Sequence, residues 1–206
     1  MSGFADPRAT WTARFDRDDY LFGEAPNAFL AHETHRFAPG TTALVVADGE
    51  GRNSVHLARA GVRVTAFDFA ANGVAKARRL AARHGVDVDY RVADIHQWPW
   101  HERAYDAVVA IFIQFLTPDE REPVFAGMRA AVRPGGLFVL EGYRPEQVDY
   151  GTGGPGRREH MYTEAWLRAG FADWDLLHLA AYDADLAEGT GHAGRSALID
   201  LVARRR

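Results

Sequence analysis

From residue 42 onward, short apolar runs alternate with amphipathic stretches, and glycine or proline closes most of them. Thr42 to Val46 and Val62 to Phe67 are apolar runs of strand length. Between them, Arg52 to Ala60 has helical spacing and stops at Gly61. Ala70 to His84 is an Ala/Arg-rich helix ended by Gly85, and Val86 to Val92 alternates as a third strand. Tyr105 to Phe112 is apolar enough to be buried on both faces. Pro118 to Val132 is a helix with proline in its first turn, and Arg133-Pro134-Gly135-Gly136 turns the chain into a fifth strand, Leu137 to Glu141. Upstream, Ala28 to Phe37 has helical spacing and stops before Pro39-Gly40. Residues 1 to 26 carry too many aromatics for a disordered tail and form an ordered lead-in. The alternation predicts a doubly wound α/β fold with a parallel sheet.

After the fifth strand the rhythm changes. Residues 143 to 160 include Gly151-Thr152-Gly153-Gly154-Pro155-Gly156, which predicts a mobile lid loop at the ligand end of the sheet. Thr163 to Ala169 is a helix stopped by Gly170. Trp174 to Tyr182 and Ser196 to Ala203 are two more strands, joined by a segment with no helical pattern. Parallel strands need a long crossover, usually helical, so this last pair is expected to be antiparallel. One domain over all 206 residues is the natural division, with residues 1 to 40 as an N-terminal flap and helix.

Composition narrows the chemistry. With 47% hydrophobic residues there is material for a full core, and the absence of cysteine excludes disulfides, thiolate-held metal and a cysteine nucleophile. A net charge of −4 gives no electrostatic footprint for nucleic acid. The nine histidines show no metal-site spacing, so no metal is expected. No apolar run is long enough to span a membrane and the N-terminus has no signal-like pattern, so a cytoplasmic protein without membrane contact is expected, as monomer or homodimer.

Residues 43 to 53 read Ala-Leu-Val-Val-Ala-Asp-Gly-Glu-Gly-Arg-Asn, a buried-strand run ending in a glycine-punctuated turn with a helix starting at once. A chain bending this tightly at a strand's carboxyl end brings backbone N–H groups and a helix N-terminus up to a ligand. The second strand is tipped by Asp68. An acid about twenty residues after such a turn can accept hydrogen bonds from both hydroxyls of a ribose. The pair favours a nucleoside-containing cofactor over a ligand-free turn. A pyrophosphate site uses G-x-G-x-x-G, but here the third glycine position is Ser54, and the turn carries Asp48 and Glu50. Two carboxylates would repel a pyrophosphate in a partly desolvated pocket. S-adenosylmethionine (SAM) has no phosphate and carries a sulfonium and an ammonium. An acidic turn suits SAM and opposes NAD.

Taken in order, Gly49-Glu50-Gly51-Arg52-Asn53-Ser54, Asp68, Ala93-Asp94-Ile95 and Arg133-Pro134-Gly135-Gly136 resemble the motifs of class I SAM-dependent methyltransferases. Within that class the chain is similar to the small-molecule enzymes around the tellurite-resistance and thiopurine methyltransferases. The resemblance covers nearly the whole chain. It implies a Rossmann-like seven-stranded sheet, mostly parallel, with an antiparallel C-terminal strand. It puts Asp94 near the adenine amino group and Ile95 against the ring. The cofactor set it implies is Ala47, Asp48, Gly49, Glu50, Gly51, Arg52, Asn53, Asp68, Phe69, Asp94, Ile95 and Ile111. Arg52 is a candidate for the methionine carboxylate of SAM, because an arginine in a helix's first turn opposes the dipole; a solvated surface position is the alternative. Two departures stand out. The motif's opening acid is Val45 and its first glycine is Ala47, so Asp48 or Glu50 has to compensate. After the fourth strand, residues 110 to 115 lack the Asn/Asp-Pro-Pro-aromatic signature of many DNA and protein methyltransferases, which argues for a small-molecule acceptor.

Glu188-Gly189-Thr190-Gly191-His192-Ala193-Gly194 joins the last two strands, and similar stretches occur in the methyltransferases this chain resembles. The functional reading makes Glu188 and His192 the groups that orient or deprotonate the acceptor. The alternative is a flexible turn, and topology alone leaves open which end of the sheet it occupies. Tyr20, Phe22 and Asn27 are candidates for a flap over the ligands, and Trp98 and Trp100 for adenine stacking or plain packing. Three functions remain open: a small-molecule methyltransferase with product S-adenosylhomocysteine, a non-catalytic SAM-binding protein, and an NAD-dependent oxidoreductase.

Overall fold

Side chains of the first strand, Thr42–Val46 (β1), alternate between two cores: Leu44 and Val46 join one, Ala43 and Val45 the other. A strand buried on both faces needs helices on both sides. The computed structural model, which describes residues 6–206, supplies them. Helices Ala28–Glu33 (α2), Arg52–Arg59 (α3) and Ala71–Arg83 (α4) pack on the Ala43 face. Pro118–Ala131 (α5) and Glu164–Gly170 (α7) pack on the Leu44 face. The remaining α-helices among the described residues are Pro7–Phe15 (α1) and the single turn Gln147–Tyr150 (α6).

The other strands are Arg63–Asp68 (β2), Val88–Val92 (β3), Tyr105–Ile111 (β4), Val132–Tyr143 (β5), Trp174–Glu188 (β6) and His192–Arg205 (β7). They form one seven-stranded sheet in the order β3-β2-β1-β4-β5-β7-β6. The pairings from β3 through β5 are parallel, and β7 runs antiparallel to both β5 and β6. The expected doubly wound sheet with an antiparallel C-terminal strand is present. The carboxyl ends of β1, β2, β4 and β5 and the β6–β7 turn therefore share one edge of the molecule.

Three boundaries differ from the sequence reading. The lead-in contains α1, started by Asp6, whose side chain accepts from the Ala9 N–H, and by Pro7. Residues 133–136 form an irregularity inside β5, with a register shift against β4, and not a turn ahead of it. The segment between the last two strands is mostly strand: β6 and β7 pair out to Glu188 and His192. Asp183, Ala184, Asp185 and Leu186 alternate exposed and half-buried along this edge, which is the period of a strand with one wet face. No helix among the described residues is long and apolar enough to cross a membrane.

Candidate active site

The turn after β1 takes backbone shapes that glycine adopts most freely. Gly51 caps α3 at φ 94°, and a Cβ there would stand 2.6 Å from the Ala77 Cβ, so α3 and α4 approach only over glycine. Ala47 sits at φ 50°. This is the position where the motif has glycine, so the departure leaves the turn's shape and adds left-handed strain of about 1–2 kcal/mol.

Three adjoining hollows lie along this edge, with empty volumes near 550, 620 and 700 Å³ including their open mouths. The central, 550 Å³ hollow is lined by Ala47, Asp48, Gly49, Arg52 and Asn53 from the turn, Asp68 and Phe69 from the end of β2, and Ile111 from the end of β4. Asp94 and Ile95 line the 700 Å³ hollow instead, which shares Phe69 and Phe115 with the central one. Asp94 accepts a 2.9 Å hydrogen bond from Arg8. Glu50 and Gly51 line none of the three. Glu50 turns away, accepting from the Leu21 N–H at 2.8 Å and pairing with Lys76, and so fastens the lead-in to α4. Asp48 is thus the carboxylate of this turn that faces the hollow.

Burial pushes the Asp48 carboxyl up to about 7, against hydrogen bonds from the Ser54 side chain and N–H and with the Asp68 charge adding to the rise. Burial pushes Asp68 up to about 6, against hydrogen bonds from the Ala70, Gly49 and Phe69 N–H groups. The Gly49 and Ala70 bonds measure 3.0 and 2.8 Å. Among the described residues, neither carboxylate has a lysine or arginine at ion-pair distance.

The β6–β7 turn lies at the Gly49 end of the sheet, and His192 lines both the central and the 620 Å³ hollow. Glu188 accepts from the Arg52 guanidinium at 2.7 Å, from the Asn27 side chain at 3.1 Å and from the Ala28 N–H at 3.1 Å. Its Oε2 lies 3.4 Å from His192 Nδ1, while no hydrogen bond joins Nε2 to a described residue. Burial alone would raise the Glu188 carboxyl, but the His192 hydrogen bond and the Arg52 charge hold it at about 2. Burial lowers the His192 pKa, with the Glu188 hydrogen bond opposing. The imidazole is held between the rings of Phe22 and Phe112, each with its centroid at 4.3 Å. Arg52 owes its place in the first turn of α3 to Glu188.

Residues 43–136 match the family of methyltransferase domains. Over this stretch the chain carries a methyltransferase domain. A ubiquinone biosynthesis O-methyltransferase of Paramagnetospirillum magneticum is 32% identical over 169 residues, covering 82% of this chain and 60% of that protein. The chain thus spans less than two thirds of the curated relatives it matches. In fold, it is similar to TehB from Haemophilus influenzae (TM-score 0.73, 19% identity, 87% of this chain and 62% of that one). It is equally similar to the N-methyltransferase NodS from Bradyrhizobium japonicum WM9 in complex with S-adenosylhomocysteine (TM-score 0.73, 14% identity, 96% and 97%).

Other residues around the candidate site were not singled out from sequence. Trp11 and Phe15 of α1 line the central hollow, and the Phe15 ring lies over Gly49. Asp6-Pro7 is the helix-start signal that would have exposed α1. Phe112 and Tyr143 follow or end strands on the ligand edge, where a parallel sheet keeps its ligands. Glu141 accepts from Asn27 and is pushed well above the carboxylate range by burial, with the charges of Asp200 and Glu188 adding. Of the expected flap, Phe22 covers His192 and Asn27 caps α2, its side chain accepting from the Leu30 N–H. Trp98 stacks on Phe67 at 4.1 Å and belongs to the core.

Proposed function

We propose that this chain transfers the methyl group of SAM to a small-molecule acceptor in the cytoplasm. The observation that carries this reading is the pair Asp48 and Asp68: two desolvated carboxylates in one hollow with no cation of their own. A cationic ligand ionises both and gains their attraction, whereas a pyrophosphate meets two like charges. The residues present therefore fit SAM and oppose NAD. Asp68 retains lone pairs for ribose hydroxyls beyond its backbone bonds. Phe69 and Ile111 flank that position, and Asp94 with Ile95 supplies the adenine side.

When bound, SAM supplies an electrophilic methyl group on a sulfonium. The residues of the site would set the acceptor's lone pair in line with that methyl group, the C–S electron pair leaving with the sulfur. His192 enters this step neutral, held through Nδ1 by Glu188, and Nε2 takes the acceptor's proton. Glu188, ionised, stabilises the imidazolium that results. Trp11, Phe15 and Phe22 cover the hollow and keep water from the reacting atoms. The O-methyltransferase relatives support an oxygen acceptor.

The strained Ala47 favours a second reading, a SAM-binding protein that methylates nothing. Calorimetry with SAM, S-adenosylhomocysteine and NAD tests the cofactor: heat with NAD alone rejects both readings. A screen of candidate acceptors with labelled SAM then separates enzyme from binder, which would bind SAM and label no acceptor.

A further inference from the structure

The 620 Å³ hollow has a lining unlike that of its neighbours. Its walls are the rings of Trp11, Phe112, Phe115 and Tyr143, and the charged or imidazole side chains that reach it are Arg14 and His192; among the described residues no carboxylate lines it. Arg14 is half-buried, its guanidinium 4.5 Å from the Trp11 ring centroid and 6.0 Å from that of Phe22. Among the described residues no carboxylate stands within ion-pair distance of it, whereas Arg8, Arg17 and Arg52 around the same edge pair with Asp94, Asp19 and Glu188. A partly desolvated guanidinium without a counter-charge is an anion site, and its planar fork matches a carboxylate. Tyr143 gives an independent sign of a ligand. Its side chain is 2% exposed, and its hydroxyl, in the wall beside Gly153, has no hydrogen-bond partner among the described residues. Buried hydroxyls are normally satisfied, so this one is available to a polar atom in the hollow.

We propose that this hollow takes a planar aromatic acceptor bearing an anionic group, and that Arg14 is the residue that selects it. The inference rests on the methyl-transfer reading and gives it a substrate class. The aromatic walls take the ring faces at stacking and edge-on contacts. Arg14 pairs with the anionic substituent, and a hydroxyl elsewhere on the ring faces His192 at the boundary with the SAM hollow. A cationic acceptor meets Arg14 with no carboxylate to offset it.

Calorimetry at saturating S-adenosylhomocysteine tests this with 4-hydroxybenzoate, phenol and tyramine as probes. The expected result is that 4-hydroxybenzoate binds at least tenfold tighter than phenol, with tyramine weaker than both. Arg14→Gln abolishes the preference for 4-hydroxybenzoate over phenol, and Arg14→Lys keeps part of it, each with unchanged affinity for S-adenosylhomocysteine. Equal binding of 4-hydroxybenzoate and phenol to the wild-type protein overturns the proposal while leaving methyl transfer standing. So does a preference that survives in Arg14→Gln. Failure of S-adenosylhomocysteine itself to bind overturns the methyl-transfer reading and this proposal together.

Discussion

Asp68 holds the end of β2 to the start of the glycine turn and offers its remaining lone pairs to the hollow. Replacing it with alanine removes the acceptor proposed for two ribose hydroxyls. Hydrogen bonds to a charged group contribute ~1.5–3 kcal/mol each, so SAM affinity is expected to fall at least tenfold in a folded variant. Unchanged affinity by titration rejects the cofactor assignment. The same pair of acids sets a pH dependence. In the free protein Asp48 and Asp68 are held up at about 7 and about 6, so both carry protons at pH 5 and lose them by pH 8. A cation binds the ionised forms, so SAM affinity rises with pH across that window, and Asp48→Asn removes its upper part. The fold responds in the opposite sense. Carboxyls raised above their unfolded values stabilise most below pH 4 and lose that contribution as pH rises through 6 and 7, so the ligand-free melting temperature declines while SAM affinity rises. At His192, substitution by alanine is expected to lower methyl transfer by about 10²-fold or more with SAM binding intact. Glu188→Gln lowers it too, and full turnover in both variants on a true acceptor discards their catalytic role. Asp48 and Asp68 were legible because a strand end followed by glycine or by an acid has a fixed place in this sheet. The direction of Glu50, toward Leu21 and Lys76, was not legible, because a tight turn has no periodicity to say which way each side chain faces.

Among the elements, the strands and helices from β1 to α5 followed from apolar period and glycine stops alone. The edge did not. Residues 183 to 195 read as a connection because their apolar positions are few, yet an edge strand needs apolar residues on one face only. The glycine-rich segment after β5 was expected to be a bare lid. In the structure, Gln147 ties it from within: its side chain donates to Thr152 at 2.9 Å and accepts from the Ala197 N–H at 2.8 Å. Gln147 also donates to the Gly153 carbonyl at 3.5 Å, so the stretch left without such a tie to described residues is Gly154 to Gly156, whose first two residues line the 620 Å³ hollow. Hydrogen exchange is expected to show protection there rising when S-adenosylhomocysteine and an acceptor bind, with Gln147 and Ala197 protected throughout. Strong, equal protection in both states argues against a moving lid.

At the scale of the molecule, the sheet is completed by long-range pairing, and the cofactor is expected to tighten it. Saturation at a hundred times Kd adds about 2.7 kcal/mol, or roughly 5–10 °C in melting temperature for a domain of this size. A thermal scan with S-adenosylhomocysteine that shows no shift contradicts a ligand site in the central hollow. One contact set has a further consequence. The Leu21 carbonyl accepts from the Thr190 and Gly191 N–H groups, and Gly189 packs so closely on Leu21 and Gly23 that a Cβ would stand 2.4 Å from the Leu21 oxygen. Leu21 and Thr190 are 169 positions apart. During synthesis at roughly 5–20 residues per second, the aromatic lead-in waits on the order of ten seconds or more for the hairpin that receives it. Its rings are on offer to chaperones for that interval, and ligand competence arrives as the closing event of folding, after the sheet has already formed.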